Sequence, residues 1–136
     1  MNPSYRERAR RLREQGYNCA QAVACAFSPC LAIDEETLFK IMEGFGGGMG
    51  GHQATCGALS GAIAIIGLLN SNGVPDARIK AETYALASRA VESFEATCKS
   101  LVCKEILGDE TGVVLYSCEA CVAHGVELVE TLMDVP

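Results

Sequence analysis

The sequence has no tryptophan, and aromatic residues make up only 6% of its 136 positions. Its interior must therefore be built from alanine, leucine, valine and other small apolar side chains. Cations are also scarce: 11 Lys and Arg against 17 Asp and Glu leave a net charge of −6 and a pI near 4.9. The clustered cations that phosphate contacts need are largely missing, which argues against nucleic acid as a partner. Arg6, Arg8, Arg10, Arg11 and Arg13 do crowd one segment, but with Tyr5, Ala9 and Leu12 as its apolar stripe that segment reads as a helix with a solvated basic face. No run is long enough to span a bilayer. The most apolar stretch, Ala54 to Leu69, holds Thr55, Ser60 and glycines and falls short of the roughly 20 residues required; it reads as a buried core helix. The start, Met1-Asn2-Pro3-Ser4-Tyr5, has no apolar region of the secretory type, so a cytoplasmic location is expected. The length suits one domain over residues 1–136.

Strand-like alternation is almost missing too, whereas helix signals recur from end to end. The expectation is an all-α, single-domain bundle of about six to seven helices with a glycine-rich loop. Ser4-Tyr5-Arg6-Glu7 reads as a capping box for a helix running to Gln15 and stopping at Gly16. Asn18, with Gln21 at the third helical position, caps a second helix that proline ends at Ser28-Pro29. Asp34-Glu35-Glu36-Thr37 opens a third, with Leu38, Ile41 and Met42 facing inward. A helix from Cys56 to Leu69, a long amphipathic one from Asp76 toward Phe94, a short one from Lys99 to Leu107 and a last one from Cys118 to about Met133 complete the set. Gly57 and Gly61 lie one turn apart on the apolar helix. Their shared face suits either close packing in the core or a seam between two copies, a homodimer.

Gly44-Phe45-Gly46-Gly47-Gly48-Met49-Gly50-Gly51 cannot continue a helix without a large entropic cost. Gly46, Gly48 and Gly51 formally spell GxGxxG, but no strand precedes them, and no Lys-Ser or Lys-Thr follows to make a P-loop. Two readings remain: a connector passing over the start of the Cys56 helix, or a nest of N–H groups for an anion or for the sulfurs of a cluster. His52 is either a ligand, a proton donor or a surface residue, and His124 reads as surface.

Cysteine is the residue in surplus. Eight of them in a chain with no export signal point to metal binding or redox chemistry rather than structural disulfides. Cys19, Cys56 and Cys118 each open an expected helix, where N–H groups and the dipole favour thiolate over thiol; Cys103 lacks such a start in this reading. Converging thiolates bind iron–sulfur clusters or zinc, and the same physics would activate a redox dithiol. Cys118-Glu119-Ala120-Cys121 is the one CxxC. Val122 stands where a haem-attachment motif needs histidine, so haem is not expected; no βαβ pattern supports a thioredoxin-like unit. Cys25, Cys30 and Cys98 read as packing residues or secondary thiols.

Asn18-Cys19-Ala20-Gln21-Ala22-Val23, Gly44-Phe45-Gly46-Gly47-Gly48-Met49, Cys56-Gly57-Ala58-Leu59-Ser60-Gly61-Ala62, Cys103 ahead of Leu107-Gly108, and Cys118 four residues before Val122 together resemble the redox-active family labelled C_GCAxxG_C_C. The likeness spans nearly the whole chain. It implies a small, mostly helical redox protein in which Cys19, Cys56, Cys103 and Cys118 are the family cysteines, and a similar segment is associated with an iron–sulfur centre in split-Soret-type cytochromes. The chain departs from the pattern at Cys25, Cys30, Cys98 and Cys121, the last standing where an aromatic residue is expected.

Three functions follow as expectations. In the first, Cys19, Cys56, Cys103 and Cys118 ligate an iron–sulfur cluster, or zinc, for electron transfer or redox sensing with an unidentified redox partner, and Gly46, Gly47 and Gly48 shield it. The second is a thiol–disulfide enzyme in which Cys56 or Cys118 attacks and a neighbouring thiol resolves. The third is a helical binding domain with inert cysteines.

Overall fold

The structure, a computed structural model, describes residues 4–136; Met1, Asn2 and Pro3, part of the polar start noted above, lie outside them. Seven α-helices follow one another: α1 (Tyr5–Glu14), α2 (Cys19–Ala26), α3 (Glu35–Met42), α4 (Gly57–Asn70), α5 (Ala77–Cys98), α6 (Cys103–Leu107) and α7 (Cys118–Leu132). Among the described residues there is no strand, and the sole β element is an antiparallel bridge between Thr55 and Val102. The expected all-α fold is the observed one.

Helix α2 is the hub, because its composition lets it be. Every residue from Cys19 to Ala26 is buried, and all are small or apolar except Gln21. Gln21 completes the expected capping box, its Oε1 accepting from the Asn18 N–H at 2.9 Å, and then donates from Nε2 to the Phe39 carbonyl at 3.0 Å, tying α2 to α3. Around α2 pack α1, α3, α4 and α7. A β-carbon on Gly61 would lie 2.7 Å from the Ala20 carbonyl oxygen, and one on Gly125 would lie 2.8 Å from that of Ala58. The backbones of α2, α4 and α7 thus approach as closely as glycine permits. The Gly57–Gly61 face is therefore filled by α2, which resolves it as core packing. Phe27, Phe94, Leu38, Met42, Leu59, Ile65 and Ile66 fill the remaining interior.

Several boundaries and faces differ from expectation. Ser4 caps α1 by accepting from the Glu7 N–H, but the reciprocal half of the box is absent, since the Glu7 carboxylate is drawn to Arg10 and Arg11. Ile41 is 51% exposed rather than inward, while Leu38 and Met42 are buried as expected. Helix α5 runs on to Cys98, where Lys99 in the left-handed region (φ 75°) ends it, so α6 starts only at Cys103. The basic face of α1 is not wholly solvated: Arg8 donates to the Ala26 carbonyl at 3.0 Å, and Arg13 also turns inward. No helix among the described residues is long and apolar enough to cross a membrane.

Candidate functional site

Cys19 is the first residue of α2, Cys103 the first of α6 and Cys118 the first of α7, while Cys56 caps α4. All four family cysteines therefore stand at helix starts, including Cys103, whose start the sequence reading placed too early. The Thr55–Val102 bridge explains how two of them meet: the Cys56 N–H donates to the Leu101 carbonyl at 2.8 Å and the Cys103 N–H to that of Ala54 at 2.9 Å. The segments entering α4 and α6 are thereby stitched side by side.

Cys19, Cys56, Cys103, Cys118 and Cys121 line one cavity of roughly 270 Å³, together with Arg13, Asn18, Gly47, His52, Ile106 and Leu107. Cys19, Cys56 and Cys103 are each 6% exposed, Cys121 is buried and Cys118 half-buried. Cys25 and Cys98 are fully buried and Cys30 half-buried; none of the three borders the cavity. His124, expected at the surface, is half-buried beside Phe94 and Ser93 and away from the site.

The glycine loop is wound rather than slack. Gly47, Gly48, Met49, Gly50 and His52 all have positive φ, a run that only a glycine-rich segment enters cheaply. Gly46 leaves room for the Asn18 side chain, whose Nδ2 donates to the Glu43 carbonyl at 3.0 Å. Gly48 is buried against Cys103, with space for no β-carbon: one would lie 2.5 Å from that of Cys103. Gly47 borders the cavity and directs its N–H at Cys19. Far along the chain, His52 Nδ1 meets Asp109 Oδ2 at 2.8 Å, joining the end of the loop to the segment after α6.

The thiols influence one another in two groups. In the first, the Cys118 thiol donates to Cys19; this, the N–H groups of Gly47 and Ala20 and the nearby Arg13 charge outweigh burial and bring the Cys19 pKa down to about 6. Cys118 is correspondingly pushed up, by holding its proton against Cys19 and by burial. Arg13 serves both sulfurs, with Nη2 3.7 Å from Cys118 Sγ and Nη1 donating to the Tyr17 carbonyl at 3.1 Å. In the second group Cys56 is pushed up by its hydrogen bond to Cys121 and by burial. Cys121 Sγ in turn lies 3.9 Å from Cys98 Sγ; its bond with Cys56 pulls its pKa down, but the bond to Cys98 and burial push it up to about 12. Cys103 is raised to about 11 by burial, then by the charges of Cys56 and Cys19. Dipole reasoning applied to Cys19, Cys56 and Cys118 alike, with Cys56 or Cys118 expected to attack; of the three, Cys19 is the one whose surroundings lower its pKa, while Cys56 and Cys118 are raised. Arg13 carried no sequence signal beyond its membership of the basic run.

A family model described as "Putative redox-active protein (C_GCAxxG_C_C)" matches residues 17–132. The chain belongs to this family. The matched span contains all five cavity cysteines and the glycine loop, and leaves out Arg13. No curated protein and no solved structure matches the chain.

The donor set suits a cofactor in chemistry: sulfur ligands, N–H groups aimed at them, and a cation beside them. It does not suit one small ion as it stands, because among the described residues no three His, Cys, Asp or Glu side chains are gathered to hold a metal ion. Four cysteines on a [4Fe–4S] cluster each take a separate iron, so sulfurs spread around a cavity match that demand better than they match zinc.

Proposed function

We propose that this chain is a redox protein in which Cys19, Cys56, Cys103 and Cys118 ligate an iron–sulfur cluster, serving electron transfer or redox sensing. The observation carrying this reading is that thiols from four separate helix starts border a single cavity. A bound cluster would supply one-electron chemistry. The chain's own contribution is electrostatic and steric. The N–H groups of Gly47, Ala20 and Ala58 are directed at sulfur, Arg13 adds positive charge, and Ile106 and Leu107 give the cavity an apolar wall that limits water. Gly46, Gly47 and Gly48 form the shield, since larger residues would displace Asn18, strain the backbone or strike Cys103. Anaerobic purification followed by iron, acid-labile sulfide and visible-spectrum measurements tests it. Stoichiometric iron and sulfide are expected, and a metal-free protein overturns it.

A second reading is favoured by one specific observation, that Cys19 and Cys118 open onto the same cavity beside Arg13, whose Nη2 lies 3.7 Å from Cys118 Sγ. In it the Cys19 thiolate attacks a partner's disulfide and forms a mixed disulfide, releasing one partner thiol. Cys118 then attacks Cys19, closing a Cys19–Cys118 disulfide and releasing the second thiol. The partner is reduced by two electrons and this chain is oxidised by two. A metal-free protein with a titratable Cys19–Cys118 dithiol is its signature.

A further inference from the structure

Cys98 is a thiol that neither reading uses. It is the last residue of α5, fully buried, and outside the cavity; its sulfur stands 3.9 Å from that of Cys121. Cys121 has one side on the cavity, next to Cys56, and the other on Cys98. It is thus the cavity thiol with a second thiol directly behind it. To bond, the two sulfurs must close by about 1.9 Å, to the ~2.0 Å of a disulfide. Cys98 sits where α5 stops and Lys99 reverses the backbone, so that movement falls at a helix end rather than in mid-helix.

We propose that Cys98 and Cys121 form a reversible disulfide when peroxide enters the cavity, a redox modification site behind the four family cysteines. The sulfur of Cys121 attacks one oxygen of hydrogen peroxide; the O–O bond breaks, and the departing hydroxide takes up the Cys121 proton as water, leaving a sulfenic acid. The sulfur of Cys98 attacks that sulfur, the S–O bond breaks, and hydroxide leaves as a second water with the Cys98 proton. Two thiols and one peroxide become one disulfide and two waters. Cys121 and Cys56 both line the cavity, so drawing Cys121 toward Cys98 changes the cavity wall and the state of this pair is felt there. The pairing stands on the contact between α5 and α7, and its oxidation requires the cavity beside Cys121 to be open to peroxide.

The test is disulfide mapping on the full chain. Reduced protein is treated with roughly stoichiometric hydrogen peroxide, alkylated in denaturant, and digested with trypsin and a glutamate-specific protease. Cleavage after Lys99 separates Cys98 from Cys103, and cleavage after Glu119 separates Cys118 from Cys121. A Cys98–Cys121 crosslink is expected as the main product involving Cys121, and dithiothreitol should reverse it. Alkylation of Cys98 as complete as in untreated protein, or Cys121 found bonded to Cys56 or Cys118, overturns the proposal. In Cys98→Ala, where Cys56 is the neighbouring thiol left to Cys121, Cys121 should be recovered several-fold more as sulfinic acid or bonded to Cys56; an unchanged Cys121 oxidation pattern also overturns it. Mapping of the unmutated chain decides the matter even if that variant folds poorly.

Discussion

The sulfur of Cys19 occupies the space that a β-carbon on Gly57 would need. The residue after the α4 cap is glycine because the thiol opening α2 lies against the α4 backbone, bringing Cys19 beside Cys56. Gly57→Ala should therefore push the two helix starts apart. The expected cost is ~1–3 kcal/mol of stability, as for overpacking of a tight interior, with loss of the Cys19 thiolate character. Urea unfolding and the rate of Cys19 alkylation measure the two effects, and a stable variant with unaltered Cys19 reactivity would contradict this account.

Cys19 should react with iodoacetamide at neutral pH and lose that reactivity as pH falls through about 6. Replacing Arg13 by Met keeps bulk near Cys118 but removes the charge, so the profile should move to higher pH; Arg13→Lys should restore much of it. Peptide-resolved alkylation against pH checks this.

Stability of the reduced, metal-free chain should follow the same groups. Between about pH 6 and the ~8.5 of a free thiol, Cys19 binds fewer protons in the native state than in the unfolded one, so stability rises with pH. Above that range Cys56, Cys103 and Cys118 keep protons that the unfolded chain loses, and stability falls. Denaturation midpoints measured across pH should show both limbs, and Cys19→Ser should flatten the rising one.

Two loop glycines separate backbone strain from contact. Gly50 (φ 96°, ψ −41°) has open space around it but lies outside the left-handed helical region, so Gly50→Ala should cost more than the ~1–2 kcal/mol of a left-handed residue, through backbone strain alone. Gly48 (φ 61°) adds a collision with Cys103, so Gly48→Ala should disturb thiol reactivity as well as stability, whereas Gly50→Ala should leave thiol reactivity alone. Thermal melts and alkylation of Cys103 distinguish them.

Cofactor content should depend on position rather than on cysteine as such. Cys103→Ser should lower iron several-fold in anaerobically purified protein. Cys30→Ser should leave it unchanged, because the Cys30 sulfur donates to the Phe27 carbonyl at 3.1 Å and does not border the cavity. Metal analysis of both variants is the check.

Much of the architecture was legible from local signals. Ser4, Asn18, Asp34, Asp76 and Ser117 cap helices where their side chains predict, and the Ala9/Leu12 stripe and Val122, Val126 and Val129 face inward as their spacing requires. These features depend on interactions within one or two turns, which a linear pattern records. The misplaced start of α6 has the opposite cause. Residues 99–102 are held out of the helix by Lys99 in the left-handed region and by the bridge to Thr55, a partner almost fifty residues away.

What the amino-acid sequence determined by itself is the helical class, the caps, and the presence of thiols at or near helix starts, since each follows from short-range backbone hydrogen bonding and side-chain periodicity. Only the tertiary structure decided which thiols share the cavity, that Arg13 stands beside Cys118, and that Cys121 is backed by Cys98. Hydrogen-bond direction, burial and sulfur-to-sulfur distance are properties of surfaces brought together from different helices, and no spacing along the chain encodes them.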